Sequence, residues 1–193
     1  MLTALWIMTT AHAVPPADAE WSVAQRSPVR VECTTVGRAP WCRAEALLGV
    51  EPSKVQATLE DFAGHRSVFH SVSSLRELQP GLIHVVLDYP APLTDRDYVA
   101  QYTRVEDGAA VVYRWTPVEH PGAPVHPERI RMVDMAGEWR VEAADGGARV
   151  TYIWQADIRG DVPNWILTRA RKVTGNTILV ELSKSLGTKA VAR

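Results

Sequence analysis

The sequence predicts an α+β fold in which a curved antiparallel β-sheet wraps around one long C-terminal helix. Between Leu82 and Ile158, segments of strand character follow one another with no helical pattern between them, which is typical of a meandering antiparallel sheet. From Val162 to Leu186 the apolar residues then recur at helical spacing. Because a helix of this length needs apolar surface to cover, we expect the sheet and the helix to enclose an internal apolar cavity.

The composition is that of one soluble domain. The chain has 193 residues, of which 46% are hydrophobic and 22% charged. This length suits a single domain that buries roughly 70% of the surface its unfolded chain exposes. The 21 basic residues are balanced by 22 acidic residues, which argues against a nucleic-acid partner.

The first thirteen residues differ from the rest of the chain. Met1 to Ala13 contains a short apolar run that ends in the small-residue triplet Ala11-His12-Ala13, as in a secretory signal peptide. No basic residue precedes the run, so a hydrophobic tail is the alternative. We therefore expect a signal peptide at 1–13, a linker at 14–20, the domain at 21–187 and a tail at 188–193. A signal places the protein in the periplasm or outside the cell, and its absence would place it in the cytoplasm.

The two cysteines flank a short turn. Cys33 and Cys42 stand almost symmetrically about Val36-Gly37-Arg38-Ala39, and both flanks have strand character. In a hairpin, facing Cα atoms lie about 4.5–5.5 Å apart, within reach of a disulfide. A disulfide fits an oxidising compartment, and a pair of reduced thiols is the alternative.

The elements before the meander follow in order. Trp21 to Thr35 and Trp41 to Leu48 are predicted to be a first strand pair. Glu51 to Phe62 changes to helical period, with Pro52 in its first turn. His65 to Leu78 has no clear period and is predicted to be irregular.

The meander itself consists of six predicted strands and one long loop. Leu82 to Tyr89 alternates most clearly, with four apolar residues on one face. Pro117 to Glu128 contains four prolines, so we expect a stiff loop there. The six strands are predicted at Leu82–Tyr89, Asp97–Val105, Ala110–Thr116, Arg129–Met135, Gly137–Ala143 and Ala148–Ile158.

Two segments resemble the START lipid-transfer domain family. The run from Pro92 to Val99, with its Arg96-Asp97-Tyr98-Val99, is similar to the P-x-x-x-R-D-[FY]-V signature of those domains. The run from Arg159 to Trp165 is similar to the G-x-[IVL]-P junction before their C-terminal helix. The resemblance implies a helix-grip fold with an apolar tunnel for one lipid. It also implies a gate, which we place at the C-terminal helix and the loop 117–128.

Strand parity selects the residues expected to line this cavity and bind the lipid. If Val85 faces inward, then its neighbours at even spacing do so as well. Ordinary core packing is the alternative for any one of them. The expected lining residues are Ile83, Val85, Leu87, Tyr89, Tyr98, Ala100, Tyr102, Trp115, Ile130, Met132, Trp139, Val141, Tyr152, Trp154, Ile166, Ala170 and Val173.

The chain departs from the family at the charged pair that some START domains place inside the cavity. At those positions this sequence has Val85 and Tyr102, so we expect Tyr102, with Asp134 as an alternative, to supply hydrogen bonding. Arg96 and Asp97 are expected to fix the start of their strand through an ion pair or hydrogen bonds.

Two classes of function fit these residues. The first is non-catalytic binding and transfer of one hydrophobic lipid (a sterol, a phospholipid or an acyl lipid). The second is an enzyme of the aromatase/cyclase kind on the same scaffold, and a collapsed, solid core is a third reading. No cofactor is expected, and His120 with His126 lacks the third ligand of a metal site. We expect a monomer, with Arg169, Arg171 and Lys172 either solvated or in transient contact with a membrane.

Overall fold

The chain was examined as a computed structural model, which describes residues 14–16, 18–36, 39–91 and 93–191. The segment expected to be a signal peptide lies outside the described residues. The described elements, in chain order, are β1 (Ser22–Gln25), β2 (Arg30–Thr34), β3 (Trp41–Leu48), α1 (Pro52–Glu60), α2 (His65–Val68), β4 (Val72–Gln79), β5 (Leu82–Leu87), β6 (Arg96–Asp107), β7 (Ala110–Pro117), β8 (Ile130–Arg131), β9 (Met135–Ala144), β10 (Gly147–Ala156), α3 (Asn164–Ser185) and β11 (Ala190–Val191).

The eleven described strands form one open sheet. Its order is β1-β2-β3-β10-β9-β7-β6-β5-β4, and every neighbouring pair along this path is antiparallel. The two short strands lie off the path, with β11 on β3 and β8 parallel to β6. The predicted α+β fold with a C-terminal helix is confirmed. The tail expected at 188–193 nevertheless contributes β11 to the sheet.

Two segments differ from the secondary structure predicted from the sequence, because the alternation of inward and outward side chains is broken in both. The segment read as irregular contains α2 and β4, and β4 pairs with β5 through two register shifts, between Val72 and Ser74 and between Glu77 and Gln79. A bulge places residues three apart on one face, which hides the alternation. The strand expected at 129–135 shrinks to two residues, Ile130 and Arg131. Met132 and Met135 are both buried although they are three apart, so the two-residue alternation of a strand does not run through this segment.

Helix α3 has two unlike halves. Its buried residues are Gly175, Leu179, Leu182 and Ser183, all in the second half. The first half instead carries exposed Trp165 (69% exposed). The second half packs against β2 and β3, and it is therefore the half that holds the helix on the sheet.

Gly175 sets the closest approach of α3 to the sheet. A Cβ atom there would collide with the ring of Trp154 and would lie 2.9 Å from the Cβ of Ala44. Ala44 and Ala46 of β3 are fully buried. Small residues on both sides therefore let the helix approach closely, and this contact is the reason for a glycine inside a helix, where it costs about 1 kcal/mol relative to alanine.

A disulfide closes the β2–β3 hairpin. Cys33 and Cys42 are register partners with their Cα atoms 4.1 Å apart, and their sulfur atoms are bonded. The predicted disulfide is thus confirmed. None of the helices in the described ranges is long and apolar enough to cross a membrane.

The disulfide is expected to stabilise the fold measurably. Replacing Cys33 and Cys42 together by alanine should lower the free energy of unfolding by about 2–3 kcal/mol, because the short loop is no longer closed in the unfolded chain. Urea titrations of the two proteins measure this difference. Dithiothreitol should destabilise only the parent protein, and an equal effect on the variant would contradict the assignment.

Candidate functional site

A cavity of about 530 Å³ lies between α3 and the inner face of the sheet. This volume is within the roughly 300–1,000 Å³ typical of small-molecule sites. The structure therefore contradicts the third reading from the sequence, a cavity that has collapsed into a solid core. Fourteen of the residues expected to line it do so: Ile83, Val85, Leu87, Tyr89, Tyr98, Tyr102, Trp115, Met132, Trp139, Tyr152, Trp154, Ile166, Ala170 and Val173.

Three residues of the expected set lie outside the cavity wall. Ala100 and Val141 are buried within the hydrophobic core. Val141 has inward parity, but it belongs to the part of β9 that continues beyond the cavity, where α1 packs on β9 and β10. Ile130 lies on short β8, and its Cδ1 faces Gly160, 3.4 Å from the place of a Cβ there. Strand parity alone does not give the length of a cavity.

Further residues of the cavity wall come from segments whose sequence shows no alternation of apolar and polar residues, so the sequence did not indicate which of their side chains face inward. Phe69, Ser71, Val72 and Leu75 line the cavity from the segment that was read as irregular. Strand parity missed Val72 and Leu75 because register shifts break the alternation in β4, and it missed Phe69 and Ser71 because they lie between α2 and β4, outside any strand. The remaining wall residues not foreseen are Pro40, His65, Asp88, Pro90, Leu93, Met135, Gln155, Ala156, Ile158, Leu167, Arg169, Arg171, Thr174, Thr177 and Ile178.

Four aromatic rings from β6, β7 and β10 stack in a row on the inner face of the sheet. Tyr102, Trp115, Tyr152 and Trp154 stack in this order, with centroids 5.6, 5.6 and 4.8 Å apart and interplanar angles of 18°, 18° and 17°. Gly137 of β9 makes the wall continuous, because a Cβ there would collide with the ring of Trp115. Trp115 therefore lies across β9 and reaches Tyr152 on β10. We call these four rings the aromatic wall.

The polar groups inside the cavity are uncharged. Burial raises the pKa of the Tyr98, Tyr102 and Tyr152 hydroxyls well above their ordinary value. Burial also lowers the pKa of His65, whose Nε2 lies 3.1 Å from the Leu59 carbonyl oxygen. Gln155 donates to Asp134 at 3.0 Å, so the amide is held by a partner outside the wall. The interior thus offers neutral hydrogen-bonding groups.

Charged residues lie at one side of the cavity only. Asp88 belongs to the segment that joins β5 to β6, whose Pro90 and Leu93 also line the wall. Arg169 and Arg171 lie opposite, on the first half of α3. Because Asp88 and Arg169 are exposed, this side is the mouth of the cavity.

The proline-rich loop 117–128, expected at the gate, lies elsewhere. None of its residues lines the cavity. Ala123 instead packs with Leu82 and Val99, which have outward parity, and Arg76 donates to the Gly122 carbonyl at 2.7 Å. The loop therefore covers the outer face of the sheet, because its one buried apolar residue finds its partners there.

Arg96 ties the mouth to the start of α3. Its side chain is buried, and its guanidinium donates to the carbonyl oxygens of Thr94, Ile158 (3.1 Å) and Arg159 (3.3 Å). It also lies over the Tyr89 ring, 4.9 Å from the centroid. Arg96 thus links the β5–β6 connection to the turn before α3.

Asp97, the next residue, points to the opposite face. Its carboxylate accepts two hydrogen bonds from Arg131, at 2.9 and 2.7 Å, and lies 2.8 Å from Nε2 of His84. Arg131 also donates to the Ala123 carbonyl at 3.0 Å. Burial by itself would raise the pKa of Asp97, but the hydrogen bonds from Arg131 and His84 hold it below its ordinary value. Asp97 therefore fixes β8 and the loop 117–128 on the outer face.

The histidines of the loop 117–128 are used locally. Nδ1 of His120 accepts from the Gly122 amide at 3.1 Å, and Nδ1 of His126 accepts from the Glu128 amide at 3.3 Å. Within the described part of the chain, no group of three His, Cys, Asp or Glu residues could hold a metal ion.

Known structures share this fold. The chain is similar to a STAR-related lipid transfer protein from Xanthomonas axonopodis (23% identity, TM-score 0.75, covering 86% of this chain and 98% of that one). It is also similar to human STARD10 (19%, 0.73, 91% and 81%) and to human StAR-related lipid transfer protein 5 (17%, 0.77, 88% and 88%). No family model and no curated protein sequence matches the chain. The fold is the helix-grip fold of START domains.

The Asp97 cluster gives an acid-dependent stability. Asp97→Asn should lower the free energy of unfolding by about 3 kcal/mol at pH 7, because Arg131 stays buried without its partner. Since the folded-state pKa of Asp97 is lowered, its contribution is present above the unfolded-state value of about 4 and is lost as the pH falls through the folded-state pKa. The difference should therefore persist at pH 5 and narrow below pH 4 in urea titrations.

The exposed Asp145→Asn is the matched control and should be unchanged at either pH. An Asp97→Asn effect of the same size at pH 7 and pH 3 would contradict the role of its charge.

Proposed function

We propose that this protein binds one hydrophobic lipid in the cavity and transfers it without chemical change. The observation that carries the proposal is a cavity of about 530 Å³ whose wall is mostly aliphatic and aromatic. Apolar ligand surface placed there gains about 25 cal/mol per Å² removed from water. Two of the similar structures named above, the one from Xanthomonas axonopodis and human StAR-related lipid transfer protein 5, are described as lipid transfer proteins and support the same reading.

The non-catalytic reading rests on the groups inside the wall. His65 is the imidazole that lines the cavity within the described residues, and its Nε2 is engaged with the Leu59 carbonyl. The tyrosines are neutral donors rather than bases. A cyclase would need groups that move protons at neutral pH. The wall fits a binder better than it fits the aromatase/cyclase alternative.

We place the gate at the mouth, between the first half of α3 and residues 88–93. These two segments carry the charged wall residues and, together with Ser71 beside Asp88, the exposed ones, and the first half of α3 contains no buried residue. Segments with little buried surface open at small cost in free energy. In this proposal residues 88–93, and not the loop 117–128, form the gate together with the helix.

The same half of α3 is suited to touch a membrane while the lipid passes. Trp165 is 69% exposed and Val173 is 47% exposed. Arg169 and Lys172 stand nearby on this half and are exposed. An apolar ring beside cationic side chains is the composition that binds at the surface of anionic bilayers. We propose transient contact of a monomer at this half.

We propose that the protein acts in an oxidising compartment after removal of residues 1–13. The Cys33–Cys42 disulfide supports this, since such bonds persist outside the reducing cytosol.

The test is native mass spectrometry of the purified protein, followed by extraction of any bound molecule. One lipid per chain, recovered with unchanged mass after incubation, is expected. Ala170→Trp places an indole in the cavity from the wall of α3 and should reduce the bound lipid at least tenfold. Ala109→Trp, at an exposed turn, is the matched control and should bind as the parent does.

Two results would count against the proposal. A protein that takes up no sterol, fatty acid or phospholipid from vesicles would exclude lipid transfer. A bound molecule recovered with altered mass would favour the cyclase alternative.

A further inference from the structure

A groove of about 630 Å³ lies on the outer face of the sheet and shares no wall residue with the lipid cavity. Its floor is the outward side of β10, where Thr151 and Ile153 line it between the neighbouring strands β3 and β9. The chain before β1 forms one wall, since residues 14–16 and Trp21 line the groove as well. We call this space the outer groove and residues 14–16 the strap.

The strap is packed on the sheet without being a strand of it. Pro15 is buried and Val14 is half-buried. A turn in which the Ala19 amide donates to the Pro16 carbonyl at 3.0 Å fixes the far end of the strap. Proline has no N–H group, so the Val14 nitrogen is the one backbone donor of the strap. What this nitrogen can bind therefore decides how the start of the strap is held.

The chemistry of the Val14 nitrogen depends on whether residues 1–13 are attached. The triplet Ala11-His12-Ala13 predicts cleavage directly before Val14. Hydrolysis of this peptide bond by a signal peptidase consumes one water, leaves a carboxylate on Ala13 and converts the uncharged Val14 amide into an α-ammonium. The ordinary pKa of an α-amino group is about 7.7–8.0, so the group is mostly charged at pH 7. Processing therefore places a new cation at the wall of the outer groove.

Most charged side chains of the outer groove are paired with one another. Arg30 and Arg43 both bind the Glu32 carboxylate, with their Nε atoms 3.0 and 2.8 Å from its oxygens. Arg114 binds Glu138 at 2.9 Å. The carboxylates of Glu32 and Glu138 thus already have their cations.

The other charged residues of the wall leave one carboxylate over. Arg140 donates to Asp107, and Glu142 accepts from Arg149 at 3.3 Å, so these two have partners beyond the wall. Among the residues that the structure describes, Glu45 forms no ion pair. In this part of the chain the outer groove therefore holds one carboxylate without a cation and, after processing, one cation without a carboxylate.

Glu45 lies within the floor of the outer groove rather than at its rim. Its register partners on either side, Arg30 on β2 and Thr151 on β10, also line the groove. Arg30 is its cationic neighbour in register, but the Nε and Nη2 atoms of Arg30 both donate to Glu32. Glu45 is half-buried, so salt screens it less than an exposed carboxylate. An ammonium that enters from the strap therefore meets Glu45 as the available carboxylate.

We propose that removal of residues 1–13 creates an intramolecular binding site, in which the α-ammonium of Val14 docks in the outer groove with Glu45 as its counter-ion. This inference rests on the proposed processing and is independent of the lipid. The strap lies on the sheet before cleavage, and cleavage adds the ion pair that ties its end there. The processed protein is accordingly more stable than its precursor.

The first test is the pKa of the α-amino group in a chain that begins at Val14. Acylation of this group at a series of pH values, read by mass spectrometry of the N-terminal peptide, gives the pKa. Because Glu45 stabilises the ammonium, the pKa should lie about half a unit or more above that of the same chain unfolded in urea. Glu45→Gln should remove the rise. Glu119→Gln, exposed and outside the groove wall, is the matched control and should keep it.

Stability gives a second readout. Since the folded-state pKa of the α-amino group is raised, its contribution is fully present below the unfolded-state value of about 7.7–8.0 and is lost as the pH rises through the folded-state pKa. A chain that begins at Val14 should therefore have a higher urea midpoint at pH 6 than one that begins at Ala13, whose ammonium is displaced by about 3.5 Å. The two midpoints should converge at pH 10 and should not differ in Glu45→Gln.

Three results would overturn the inference. An α-amino pKa equal to its value in urea excludes a counter-ion at Val14. A raised pKa that survives Glu45→Gln excludes Glu45, and its loss on Asp18→Asn would assign the ammonium to that exposed carboxylate instead. The full chain, exported to the periplasm of an expressing bacterium, should have the mass of a protein that begins at Val14, and any other start overturns the processing and this inference with it. None of these measurements involves a lipid, so the lipid-binding proposal is judged separately.

Discussion

The contact on which the cavity depends is the close packing of the second half of α3 against β3 and Trp154. Gly175 and Ala44 remove the side chains that would otherwise hold the helix away. Leu179 and Leu182 then bury themselves completely in the core. Beyond this contact the sheet carries large rings in place of alanines, so the first half of the helix cannot approach as closely. The same helix is thus an anchor at one end and a cover over the cavity at the other.

The Arg96-Asp97 pair supports this arrangement from two sides of the sheet. Successive residues of a strand point to opposite faces, so two adjacent charges serve two separate clusters. Arg96 reaches the carbonyls before α3 and fixes where the helix begins. Asp97 holds Arg131 and, through it, the loop on the outer face. The short motif therefore helps to fix both the start of α3 and the covering of the sheet behind the cavity. A role in positioning accounts for all the contacts of these two residues that the structure describes.

Strand parity accounts for most of what the sequence could predict about the site. On β5 and β10, where the ladder is regular, alternation from Val85 selects wall residues correctly, and on β6 it selects Tyr98 and Tyr102 correctly but also Ala100, which lies in the core. It misses Val72 and Leu75, because register shifts in β4 break the two-residue period. It also could not show that Gly137 lets the Trp115 ring cross β9, because a close approach between neighbouring strands leaves no periodic signal. The gate loop was misplaced for a related reason. Prolines indicate a stiff loop but not the face of the sheet on which it folds.

The division of α3 also bears on how a lipid could enter and leave. In the gate that we propose, the first half of the helix moves, and that half contains no buried residue to expose. Moving the second half would expose Leu179 and Leu182, each fully buried, at a cost of about 2 kcal/mol or more for each side chain. The opening that we propose therefore involves only the part before Gly175, and the core stays closed. The half of the helix that would move in this proposal also carries exposed Trp165 and the neighbouring cations Arg169 and Lys172. The proposed membrane-contact surface and the proposed exit from the cavity thus belong to the same segment, an arrangement that would let a lipid pass between protein and membrane with little exposure to water.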